Sequence, residues 1–233
     1  MAIRPEVKEL IYIAITFFTL LFVATNVNTA LGTIYLMFVL GGLGFLTVAR
    51  TFFNVGTNIP FQKQPGGAIK AFGWGILAWG ILLVVSSFLM KWIDPTQASL
   101  GAIITILGAT TPALASSKIA NFLTFGFVIP FAETQLWARL MEFIADVFHI
   151  DISKQSYKKI STIVLIVLLS AGFMVFHITA KGITSTASLA VVFVMMVISL
   201  IMVTIFQETR QAVDFHIVAN SVASYLLLFA TGI

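Results

Sequence analysis

The sequence predicts an all-α polytopic integral membrane protein of about eight transmembrane helices, some kinked or broken. Three observations carry that class. Hydrophobic residues make up 59% of the 233, and charged residues only 9%; a soluble domain carries roughly 25% charged residues. The apolar residues fall in runs long enough to cross a hydrocarbon layer about 30 Å thick. Two of those runs contain a proline, Pro112 or Pro130, which removes a helical hydrogen bond and bends or ends the helix.

The elements follow in order. A first span covers about residues 10–26. Its basic flank, Arg4 and Lys8, has the outline of a signal peptide, but Asn28 and Ala30 make a poor cleavage pair, so the helix is expected to be retained. The second span is about 29–53, with Asn28–Thr29 able to cap it. A polar loop with the turn signal "PGG" leads to a third span, about 68–91, in which Gly73, Gly75 and Gly80 point to close helix packing. The fourth is about 98–114, and the fifth runs from 118 into the 140s. A helix over 118–145 would be about 42 Å long, so its second half, "ETQLWARLMEFIADVF", either leaves the membrane or lines a protein interior. The sixth, seventh and eighth spans are about 158–179, 185–206 and 212–231. A single transmembrane domain, 1–233, accounts for these elements.

The charges and the missing residue types narrow the function. The net charge of +4 is spread over short loops, so it speaks to anionic lipid and orientation; no nucleic-acid partner is expected. Across eight spans, Arg4, Lys8, Arg50, Lys63, Lys70, Lys118 and Lys181 fall on one side. Lys91, Lys154, Lys158, Lys159 and Arg210 fall on the other, a division that favours cytoplasmic termini. There is no cysteine, which removes disulfides, thiolate metal ligands and a thiol nucleophile.

Polar side chains inside apolar spans carry the functional argument, because each is expensive there unless paired or placed in a wet cavity. Glu133 lies in "FVIPFAETQLWARL", His177 in "GFMVFHITA", and His216 in "DFHIVAN". Phe173 precedes His177 by four residues and Asn220 follows His216 by four, so each pair shares a helix face. His149, in the charged stretch "ADVFHIDISKQ", reads as interfacial. A carboxylate and an imidazole can hold and deprotonate a water. A second imidazole with an amide can stabilise the oxygen that becomes negative when water attacks a carbonyl. This chemistry needs no serine or cysteine nucleophile, no cofactor and no metal. Glu133 and the two histidines could alternatively hold zinc, although no "HExxH" helix is present.

The order of these residues resembles the family of intramembrane proteases that includes the CAAX prenyl endopeptidase and bacterial CAAX-protease and bacteriocin-processing proteins. That family carries two glutamates followed by an arginine on one span, Phe-x-x-x-His on the next and His-x-x-x-Asn or Asp on the last. Phe173–His177 and His216–Asn220 match the second and third motifs, and "PFAETQLWAR" stands in the place of the first. The resemblance covers a protease-like core at about 118–231. It implies that Glu133 and His177 activate water, that His216 and Asn220 form the oxyanion hole, that Phe173 packs near the site and that Arg139 holds an acidic group. Thr134 stands where the second glutamate belongs, and Arg139 follows Glu133 by six residues rather than five. The expected substrate is a peptide or membrane-anchored protein tail. Two other functions use the same features: a catalytically inactive scaffold holding a stable membrane protein partner, and a transport path lined by ionisable groups.

Overall fold

The computed structural model describes residues 39, 41–46, 48–49, 59–61, 67–109 and 118–230. The predicted first span, most of the second and Pro112 lie outside the described residues. Those described form helices and connections only, with no strand among them. They comprise α1 (Gly67–Ile93), a short 3-10 turn (Pro95–Gln97), α2 (Leu100–Ala109), α3 (Lys118–Leu123), a π turn (Thr124–Val128), α4 (Ile129–Val147), a second 3-10 turn (Ser156–Lys158), α5 (Ile160–Lys181), α6 (Thr186–Phe206), α7 (Arg210–Tyr225) and a closing π turn (Leu226–Ala230).

Four described helices are long and apolar enough to cross a membrane: Gly67–Ile93, Ile160–Thr179, Thr186–Phe206 and Arg210–Phe229. Their surfaces support that environment. α1 exposes Ile69, Phe72, Ile76, Val84, Phe88 and Trp92, and α5 exposes Ile163, Val164, Val167, Leu168 and Val175. Inside the bundle the buried positions include Glu133, Glu142, Asp214 and His216. Apolar outside and polar inside inverts the soluble arrangement and matches a bundle surrounded by lipid.

Four of the eight expected spans are among the described residues, and of the fourth only Leu100–Ala109 is described as helix. α2 has ten residues, a length of about 15 Å or half the hydrocarbon thickness. Gly75, early in α1, lies against Asp214 and Phe215, early in α7. The α3–α4 rod runs antiparallel to α7. Its Gly126 approaches Ser221, Thr134 reaches His216 and Gln135 reaches Thr209.

Pro130 does not interrupt the helical run. It sits at the start of α4, directly after the π turn, where the Ile129 N–H reaches back to the Thr124 carbonyl. That five-residue reach widens the helix by one position where proline supplies no donor. The α3–α4 rod is thus continuous through Pro130. Its second half lines the interior: Glu133, Thr134, Gln135, Trp137, Ala138, Met141 and Glu142 are all buried. α7 is the other polar helix, and it packs against α1, α2, α4 and α6. Gly75 lets α1 come this close to α7, since a Cβ there would stand 2.8 Å from the Phe215 nitrogen. Gly73 and Gly80 face open space, so only the middle member of the predicted glycine set makes a close helix contact.

Candidate functional site

α4, α5 and α7 meet around one phenyl ring. The Phe173 ring lies 4.2 Å from the His177 ring and 6.3 Å from the His216 ring, centroid to centroid. On its α4 side the Trp137 indole meets it edge-on at 5.5 Å. Phe173 is fully buried, so this one side chain sets the positions of both imidazoles. The predicted Phe-x-x-x-His spacing thus places a ring contact within one helix, and the Phe also reaches the histidine of a second helix.

Glu133 stands beside His216, with its Oε2 3.6 Å from Nε2 and both side chains at 0% exposure. That separation is too long for a hydrogen bond and short enough for strong electrostatic coupling in a low-dielectric interior. The other ring nitrogen of His216, Nδ1, is 3.0 Å from the Thr134 hydroxyl. Asn220, one turn along α7, is buried, and its Oδ1 accepts no hydrogen bond from the described residues.

His177 has its tautomer set by the chain. Its Nδ1 is 2.9 Å from the Phe173 carbonyl oxygen. A carbonyl only accepts, so Nδ1 carries the proton, and in the neutral ring Nε2 is then the acceptor nitrogen. The residue lies in the last turn of α5, just before Gly182, whose φ of 66° closes the helix. There the Ile183 N–H takes the His177 carbonyl at 3.3 Å, so both the ring and the backbone of His177 are anchored.

Arg139 does not join Glu133. Six residues place it about 120° round the helix from the glutamate, and it pairs instead with Glu142 at 3.2 Å. Glu142 is the residue that sequence reasoning missed. It is buried and also accepts the Ile59 backbone N–H at 2.6 Å. A carboxylate in the half of α4 expected either to leave the membrane or to line the interior was the available signal. The same face carries Gln135, which donates to the Thr209 hydroxyl at 2.7 Å, while the Thr209 N–H bonds the Pro60 carbonyl at 3.0 Å. This second polar layer ties residues 59–60, α4 and the start of α7 together. Beyond it, a cavity of about 450 Å³ is lined by Pro60, Asp146, His149, Asp151 and Gln207, among others. His149 is exposed there, in the turn after α4.

Among the described residues no three His, Cys, Asp or Glu side chains come together in a group suited to hold a metal ion. No family model, curated protein or solved structure matches the chain.

Proposed function

We propose that the protein is a glutamate-dependent intramembrane endopeptidase. The observation that carries the reading is the Glu133–His216 approach at 3.6 Å, inside a bundle whose outer surface is apolar. In the proposed reaction the Glu133 carboxylate takes a proton from water as the water oxygen bonds to the scissile carbonyl carbon. The Nε2 of His177 accepts the second hydrogen of that water and orients it. The carbonyl oxygen becomes negative and is held by donors from His216 and Asn220. As the carbon–nitrogen bond breaks, Glu133 passes its proton to the leaving amine. Neither a metal nor a covalent intermediate enters these steps. The likeness in motif order to the CAAX-protease family supports the same assignment of roles. The substrate is a peptide or a membrane-anchored tail, presented from within the bilayer.

One observation favours a second reading. Glu133 and His216 are at 0% exposure and His177 at 1%, as expected of a closed polar core kept by a non-catalytic scaffold. Incubation of the protein in lipid nanodiscs with a library of single-span peptides, followed by mass spectrometry, separates the two. A protease yields defined cleavage products that disappear in Glu133→Gln, His177→Ala and His216→Ala, each still folded. Cleavage that persists undiminished in Glu133→Gln overturns the proposed mechanism. A stoichiometric partner complex without any cleavage supports the scaffold.

A further inference from the structure

We infer that Thr134 is a positioning residue, whose hydroxyl holds His216 as a neutral donor and keeps it from taking the proton that Glu133 must accept. The inference rests on the endopeptidase reading for its functional meaning, and on two contacts for its chemistry. Thr134 is buried, and its hydroxyl meets His216 Nδ1 at 3.0 Å. His216 Nε2 faces Glu133 Oε2 at 3.6 Å. Only one side of the ring can be bare while the other carries hydrogen. An ionised carboxylate next to Nε2 favours the proton there. Nδ1 is then the acceptor, and the Thr134 hydroxyl donates its single proton to it. The reverse arrangement, with Nδ1–H donating, would face a bare nitrogen toward the carboxylate. It would also leave the buried hydroxyl proton without a described acceptor, at a cost of about 1–3 kcal/mol.

This donation has a catalytic consequence. A fully protonated His216 would form an ion pair with Glu133 and quench it as a base. To reach that state, Nδ1 must gain a proton where the Thr134 hydroxyl already donates. Thr134 therefore opposes the ion pair and aims Nε2–H into the site. His177 is set the opposite way, with Nδ1 protonated by its bond to the Phe173 carbonyl and Nε2 the acceptor nitrogen. The two imidazoles present unlike faces, one an acceptor for water and the other a donor for an oxyanion. At the position of the second family glutamate, threonine supplies this function through its hydroxyl.

The test is nitrogen NMR of ¹⁵N-histidine-labelled protein in nanodiscs at pH 7, with His216 assigned through His216→Gln. The wild type is expected to show a bare Nδ1 and a protonated Nε2. In Thr134→Val, the bare-Nδ1 signal of His216 is expected to diminish as the ring takes a second proton, and Thr134→Ser should restore it. Peptide cleavage should fall about 100-fold in Thr134→Val, the scale of a lost oxyanion donor, and recover in Thr134→Ser. A wild-type ring protonated on Nδ1, or a His216 spectrum unchanged by Thr134→Val, overturns the inference. If the NMR results hold and no wild-type cleavage is found, the endopeptidase reading fails and the tautomer assignment stands.

Discussion

Glu142 holds two groups at once, the Arg139 guanidinium at 3.2 Å and the Ile59 backbone N–H at 2.6 Å, the latter across 83 residues of chain. Arg139 is only 10% exposed. Breaking a buried ion pair by removing one partner costs about 3–5 kcal/mol. Glu142→Ala is expected to cost that much in denaturant or thermal unfolding in detergent. Arg139→Ala should cost less, because the Ile59 contact survives. Glu142→Gln should be the mildest, since its amide oxygen can still accept from Ile59. Equal losses in the two alanine variants would show that the Ile59 bond adds nothing.

Gly75 makes a sharper packing prediction. An added Cβ would meet backbone atoms, the Phe215 nitrogen at 2.8 Å and the Asp214 carbonyl carbon at 2.9 Å. Backbone within a helix cannot yield as a side-chain tip does, so α1 must move away from α7. Gly75→Ala is expected to destabilise by about 1–3 kcal/mol. Gly73→Ala meets nothing within 4 Å and should be neutral or slightly stabilising through helix propensity. The comparison of melting temperatures in one detergent decides it, and equal values for the two variants would contradict the α1–α7 approach.

These residues also show how much could be read from the chain. Helix type and the later spans follow from composition and run length. His177, His216 and Glu133 stood out because charge and imidazole are costly among apolar neighbours. What could not be read depends on contacts distant in sequence. Glu142 finds its N–H partner on Ile59, and no local pattern points across such a gap. Thr134, standing where the resembled family has a second glutamate, meets His216 only across 82 residues of chain.

The connection between α4 and α5 carries a pH prediction. Asp151 has its carboxyl lowered from 3.8 to about 2, first by the hydrogen bond from the Lys159 side chain and then by the Ser153 backbone N–H. A depressed folded value means the contact is intact above the unfolded value and is lost as pH falls through the folded one. Amide exchange of Ser153 is therefore expected to stay slow from neutral pH to about 4, after the intrinsic pH dependence of exchange is removed. Protection should decline between about 4 and 2 as Asp151 protonates. Asp151→Asn should lack this step. A step centred well above pH 4 would assign it to another group.

Phe173 tests whether the ring that joins the two histidines matters to their chemistry or only to folding. The His177 Nδ1–H bonds the main-chain carbonyl of Phe173 rather than its side chain, so replacing the ring leaves that hydrogen bond and the His177 tautomer in place. The ring contacts with His177, His216 and Trp137 are what a substitution removes. Phe173→Ala is expected to cost about 3–5 kcal/mol through the cavity it leaves. Phe173→Leu fills most of that space and should remain folded. Under the endopeptidase reading its cleavage rate should nonetheless fall, because neither imidazole has a rigid wall to lean on and small misplacements of reacting groups are costly. The expected signature is a lower kcat in Phe173→Leu, with the His177 tautomer unchanged in its nitrogen spectrum. A folded Phe173→Leu protein that cleaves at the wild-type rate would limit Phe173 to packing and leave the histidines positioned by their hydrogen bonds alone.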